Sequence, residues 1–272
     1  MYLFIIFLFG ISIGSFLNVL VDRLPKNESP FGGRSHCEHC KHKLSGLDLI
    51  PLLSFFLLKG KCRYCHKKLS YYYPVVELTT GILFAITAIF ALNNFQFSIF
   101  NFQSNLNFQI SIFQLSFLIF HLFLISSLIV IFFTDIKYGI IPDKITYPAI
   151  LISFLFLMSD TKYLILNTLP SAVGAFLFFF LLFVVTRGRG MGFGDVKYAF
   201  LMGLVLGFPN IITALYIAFL TGALISLILV VWGKKKLKGT TIPFGPFLVL
   251  GTVVCLFWGD TITQYAITLL FH

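Results

Sequence analysis

Two aspartates stand at the ends of apolar runs in a chain that otherwise keeps charge out of its hydrophobic segments. Asp135 follows the run Leu115–Thr134 and opens Asp135-Ile-Lys-Tyr-Gly-Ile-Ile-Pro-Asp143. Asp195 comes after the run ending at Thr186, inside Gly190-Met-Gly-Phe-Gly-Asp195. A carboxylate at a membrane boundary costs free energy unless it is paired, hydrated or used. Two carboxyls near one another cannot easily both ionise, so one keeps a proton while the other can activate water. Such a pair can hydrolyse an amide without a covalent intermediate. Taken singly, each aspartate also has a plainer reading. Asp135 could be a helix-end residue held by interfacial water or by Lys137, and Asp195 an N-cap on a helix starting near Val196. Asp143, after Pro142 and before a helical stretch, reads as a capping residue.

Competing nucleophiles lack partners. No Gly-x-Ser-x-Gly elbow and no His-Glu-x-x-His motif occurs, and His121 is alone in an apolar run, where it reads as packing. The glycines at every second position before Asp195 permit positive φ and close approach of a second backbone. Gly192 and Gly194 are therefore candidate substrate-binding positions, where a peptide main chain could lie against the carboxylate. A dinucleotide site would need a preceding soluble strand, and the pattern offers none.

The second constellation is Cys37-Glu-His-Cys40 and Cys62-Arg-Tyr-Cys65, with 21 residues between the pairs. Each Cys-x-x-Cys makes a tight turn that aims two thiolates at one point. Cys37, Cys40, Cys62 and Cys65 together offer a closed tetrahedral set, which suits structural Zn2+. A redox pair or an iron–sulfur cluster is the alternative. The surrounding segment has few large apolar side chains outside Leu47–Leu58, so a metal would help it hold a shape. Cys255, inside an apolar run, reads as a small packing residue.

What positions these groups follows from composition. The chain has 272 residues, 58% hydrophobic and only 11% charged, with a mean hydropathy of +0.95. Soluble domains carry about a quarter charged residues, so this is an all-α polytopic membrane protein. Continuous rather than alternating apolar runs exclude a barrel. Eight spans are expected, at 2–21, 75–92, 113–134, 145–158, 164–186, 198–208, 211–232 and 244–258. The first reads as a retained signal anchor, since it lacks a basic leader. The expected domains are a first transmembrane helix at 1–21, a cytoplasmic tetracysteine domain at 22–74 and a transmembrane domain at 75–272 that carries both aspartates. Asn93–Gln114 reads as a polar-aromatic connector, and Thr261–Phe271 as a short, separate apolar segment.

The net charge of +10 comes from 20 Lys and Arg against 10 Asp and Glu. In a soluble protein it would suggest nucleic acid as a partner; here it reports topology. If the first span runs from outside to inside, the loops 22–74, 135–144, 187–197 and 233–243 lie inside. They hold every Lys and Arg except Lys162. The positive-inside rule then places both termini outside and puts Asp135 and Asp195 on the same, cytoplasmic face.

Several motifs converge in order along the chain. They are Gly14-Ser-Phe-Leu-Asn-Val-Leu-Val-Asp-Arg-Leu-Pro25, the two cysteine pairs flanking Asp48-Leu-Ile-Pro-Leu-Leu-Ser54, and Tyr73-Pro-Val-Val-Glu-Leu78. Thr134-Asp-Ile-Lys with Ile-Pro-Asp143, Met191-Gly-Phe-Gly-Asp-Val-Lys197 and Ile242-Pro-Phe-Gly-Pro-Phe247 follow. Together they resemble the type IV prepilin peptidases, bifunctional leader peptidase/N-methyltransferases of bacteria. The resemblance implies a Gly-x-Gly-Asp aspartic protease of the inner (cytoplasmic) membrane that cleaves prepilins or pseudopilins. Their short basic leaders end in glycine before a hydrophobic helix. The new N-terminal residue would be methylated from S-adenosylmethionine. Asp135 and Asp195 fall on the family's catalytic aspartates, and the four cysteines on its tetracysteine domain. Lys137 departs from the acidic residue that many members carry there. A Gly-x-Gly-Asp protease of other scope and a proton-coupled transporter remain as alternatives. The transporter would place carboxylates near the bilayer midplane in repeated halves, and no internal repeat is evident.

Overall fold

A computed structural model describes residues 2–37, 39–99, 107–159, 162–232 and 242–271. The α-helices are α1 (Tyr2–Arg23), α2 (Leu53–Leu57), α3 (Tyr72–Ile99), α4 (Asn107–Tyr138) and α5 (Asp143–Ser159). They continue with α6 (Lys162–Val185), α7 (Phe193–Leu206), α8 (Asn210–Val231) and α9 (Gly245–Phe271). Among the described residues there is no strand, only two isolated bridges, His36 with Lys43 and Lys61 with Lys68. The protein is a multi-pass, all-α membrane protein.

Among the described residues, six helical segments are long and apolar enough to cross a bilayer: 2–26, 72–91, 115–138, 165–185, 210–231 and 245–269. The two remaining expected spans fall short. Helix α5 has 17 residues and α7 has 14, or roughly 25 and 21 Å against about 30 Å of hydrocarbon. Helix α7 does not need to face lipid. Val196, Tyr198, Ala199, Leu201, Met202 and Leu204 are fully buried on it, as expected of a helix that is apolar all round and enclosed by protein.

Two boundaries differ from expectation for identifiable reasons. The connector 93–114 is helical through Ile99 and again from Asn107, and the residues between lie outside those described. No Gly or Pro occurs from 82 to 138, and Asn, Gln, Ser and Phe weaken a helix only modestly. Helix α9 runs on past Trp258 and absorbs Thr261–Phe271. Asn210, which opens α8, packs against Gly259, donates to Asp260 at 2.8 Å and accepts from Thr263 at 3.0 Å. Those contacts carry α9 through a Gly-Asp pair that hydropathy reads as an end. The basic run Lys234–Lys238 lies outside the described residues.

The chain divides into two compact units, 1–130 and 131–272. In the N-terminal unit α1 packs along α3. The approach needs glycine, since a Cβ on Gly14 would stand 2.7 Å from the Glu77 Cα and one on Gly10 2.9 Å from the Gly81 Cα. Small residues four apart are what let membrane helices come this close. In the C-terminal unit α7 is the centre, packed by α5, α6, α8 and α9. Its Tyr198 hydroxyl shares a 2.8 Å hydrogen bond with Thr252 of α9.

Candidate functional site

Asp135 sits in the last turn of α4 and Asp195 in the first turn of α7, both in the C-terminal unit. Both are buried, at 5% and 8% exposure, which is rare for a carboxylate without a strong partner. They are close enough for the charge on Asp135 to act on Asp195. Asp195 is not an N-cap. It is the third residue of α7, and its Oδ2 accepts the amide of Gly192 at 3.2 Å, reaching back over the first turn. Asp135 Oδ2 is buried and completes no hydrogen bond within the protein, and neither does the hydroxyl of the preceding Thr134. Unmet buried acceptors are costly, and in native structures they mark places where something else is bound or done.

The glycines before Asp195 serve close approach rather than positive φ. Gly192 has φ −76. A Cβ on Gly194 would stand 3.0 Å from Ile141 Cβ, so the start of α7 lies flush on the loop that follows α4. Ile141 also touches the other carboxyl's surroundings. A Cβ on Gly245 would meet Ile141 Cδ1 at 3.2 Å and Asp135 Oδ2 at 2.6 Å. One side chain thus lies against the neighbourhoods of both aspartates.

Gly245 was not singled out as a site residue by sequence reasoning, though Ile242-Pro-Phe-Gly-Pro-Phe247 carried the signal. Phe244 anchors the segment against Phe219 at 5.1 Å and Phe179 at 6.4 Å. Pro246 follows in the first turn of α9, where its missing amide is no loss. Between them Gly245 presents bare backbone to Asp135. Asp143 is the first residue of α5, and it pairs with Lys197 of α7 at 2.5 Å. That pair ties the helix bearing Asp195 to the start of α5, just past the loop that follows Asp135.

In the N-terminal unit the four cysteines converge. Their Sγ atoms lie within 4.8 Å of one another, and Cys37 and Cys65 are 3.9 Å apart. Thiolates at about 2.3 Å from a tetrahedral zinc would be separated by roughly 3.8 Å. Two matching knuckles bring them there. The Cys37 and Cys62 amides donate to His42 and Lys67, and the Lys41 and His66 amides return to Cys37 and Cys62. Lys41 and His66 both take positive φ, at 57° and 55°. Burial by itself would raise the Cys37 thiol, but amides of Cys40 and His39 and the neighbouring thiols outweigh it and lower the thiol to about 7. The set can hold a metal ion, and all four residues named from the sequence belong to it. Asp48 braces the domain. It accepts from Ser45 and from Arg63 at 2.7 Å; burial alone would raise its carboxyl, but these contacts together outweigh it and hold the carboxyl below the usual range.

Two family models match the chain: the bacterial peptidase A24 N-terminal domain over residues 8–91 and the type IV leader peptidase family over 122–227. A Bacillus subtilis (strain 168) protein named prepilin leader peptidase/N-methyltransferase is 32% identical over 97% of both chains. The chain belongs to the type IV leader peptidase family. Family members of the same name from Legionella pneumophila and Aeromonas hydrophila are 31% and 28% identical, each over 98% of this chain and 94% of the relative. No solved structure matches it. The first matched region contains the tetracysteine set, and the second contains Asp135, Gly192, Gly194 and Asp195 but ends before Gly245.

Proposed function

We propose that this chain cleaves the leaders of type IV prepilins and pseudopilins at the cytoplasmic face of a bacterial inner membrane, and then methylates the new N-terminus. The observation that carries the reading is the pair of buried aspartates within electrostatic reach of each other, one oxygen of which has no partner. Asp135 and Asp195 share a proton and titrate as a pair. The ionised carboxyl takes a proton from water as it attacks the scissile carbonyl. The protonated one stabilises the oxyanion that forms and then donates to the leaving amine. The substrate main chain lies against Gly192, where a Cβ would meet only the Asp195 carboxyl and the Gly194 amide, while Gly194 is packed on Ile141.

Zn2+ held by Cys37, Cys40, Cys62 and Cys65 is structural, since four thiolates leave no open position. S-adenosylmethionine supplies an electrophilic methyl group when bound. The acceptor would be the free α-amine that cleavage creates on the substrate.

The test is purified protein in detergent with an intact prepilin and S-adenosylmethionine, followed by mass spectrometry of the pilin N-terminus. The expected product has lost the leader at its glycine and gained one methyl group. An uncut prepilin, or one cut elsewhere, contradicts the proposal.

A further inference from the structure

The segment that joins α1 to α3 does not stand clear of the two helices but folds back along them. Leu52, just before α2, donates its amide to Glu77 Oε2 at 2.8 Å. Glu77 is five residues into α3, about 7 Å from its start. Gly14 of α1 lies against Glu77, since its Cβ would stand 2.7 Å from the Glu77 Cα. Gly14 is itself nine residues, about 13 Å, short of the end of α1. Ser54, Phe55 and Leu58 line one cavity with Ser15 and Asn18 of α1. Helix α2 therefore lies beside the membrane-spanning helices, on the bilayer side of their ends.

One face of α2 is apolar and uncovered at that level. Phe55 turns inward, with its ring 5.4 Å from that of Tyr71 and packed on Gly60. Leu53, Phe56 and Leu57, at i, i+3 and i+4, share the opposite face and are 52%, 70% and 72% exposed. Leu49 and Ile50, also exposed, precede them. Contiguous exposed apolar surface of this kind marks an interaction site. The chain leaving α2 is basic. Lys59 follows the helix directly, Lys61 and Lys68 pair in a short bridge, and all three are exposed, as is Lys67. Residues 49–76 contain no Asp or Glu. A short amphipathic helix with lysines beside its apolar face, held at the level of the helix ends, complements a bilayer surface with anionic headgroups. Lipid already surrounds the spans at this level, so no other occupant has to be brought there.

We propose that α2 seats in the membrane itself, with Leu53, Phe56 and Leu57 among the upper acyl chains and Lys59, Lys61, Lys67 and Lys68 on the phosphates of anionic phospholipids. The seat fixes the tetracysteine segment against the bilayer at a point other than its two helical ends. It uses none of the residues assigned to cleavage or to the metal, and it requires neither cleavage nor methylation.

Tryptophan fluorescence of the zinc-loaded, full-length protein in lipid nanodiscs tests this. Trp232→Phe and Trp258→Phe remove the two tryptophans of the chain, and Phe56→Trp places one indole on the proposed face. In discs of phosphatidylglycerol and phosphatidylcholine, lipids brominated near the headgroup should quench that indole at least about twofold, and lipids brominated near the chain ends much less, as an interfacial depth requires. Replacing the phosphatidylglycerol with phosphatidylcholine, or the four lysines with Gln, should weaken the quenching and move the emission to the red. Zinc content of each variant shows that the segment keeps its fold. Should the four-lysine variant lose zinc, the change of lipid alone makes the same comparison. An indole that aqueous acrylamide quenches and brominated lipid does not overturns the proposal. So does a blue-shifted indole that neither quencher reaches, which would mean that a second copy of the chain or another part of it covers the face. Quenching that is unchanged in discs without anionic lipid overturns the lysine contacts.

Discussion

Gly245→Ala is the substitution whose outcome follows most directly from geometry. The added Cβ would lie 2.6 Å from Asp135 Oδ2, 3.1 Å from its Cγ and 3.2 Å from Ile141 Cδ1. The closest of these is about 0.8 Å inside ordinary contact. Something must move by that amount. Phe244 pins the segment on one side and α9 continues on the other, so the Asp135 carboxyl is the group free to turn. Displacement of a reacting group by on the order of 1 Å costs roughly 100-fold in rate, or about 2.7 kcal/mol of transition-state stabilisation. Overpacking of this kind also destabilises a fold by about 1–3 kcal/mol. The assay is kcat/KM for a prepilin leader peptide, read beside a thermal melt. Gly174→Ala is the control, because a Cβ there meets nothing within 4 Å and should strengthen α6 slightly. If Gly245→Ala cleaves within about twofold of wild type, the contact with Asp135 has no mechanistic weight and the positioning argument fails.

Two further outcomes concern the tetracysteine segment. Chelation should release zinc, after which Cys37, Cys40, Cys62 and Cys65 should alkylate rapidly while Cys255, 3% exposed in α9, stays slow. Equal reactivity of all five thiols before chelation contradicts a metal-held set. Asp48→Asn should lower the melting temperature at neutral pH. Because the folded carboxyl is held below its unfolded value, its contribution is present above the usual carboxylate range and is lost as pH falls through the folded value. The gap between wild type and Asp48→Asn should therefore close on acidification in a fluorimetric melt series. A gap that persists at low pH would assign it to shape rather than charge.

Much of the architecture is legible in the sequence because lipid enforces it. Runs such as Leu115–Thr134 and Asn210–Val231 have to be helices, since no other backbone satisfies itself in hydrocarbon. The cysteine knuckles are legible because their chemistry is local, completed within eight residues in each case. What depends on tertiary packing is not. Helix α7 is apolar enough to be read as a span, and only its enclosure by α5, α6, α8 and α9 shows that it is a core helix. The continuation of α9 past Trp258 depends on Asn210, 50 residues away. Gly245 is 110 residues from Asp135 in sequence, and a glycine between prolines signals only a turn until the carboxyl it faces is known. Glu77 is similar. It reads as one acid at a helix start, and its burial against Leu52 becomes visible only when α1 and α3 are packed.

The central claim is that Asp135 and Asp195 act as one catalytic unit. Single-turnover cleavage of a prepilin by Asp135→Asn, Asp195→Asn and the double variant, each shown to insert and retain zinc, tests it. Groups acting as a unit are non-additive, so each single variant should lose on the order of 10³-fold or more, and the double variant no more than either. Near-normal cleavage by one single variant, or a double loss equal to the product of the two single losses, would contradict the account.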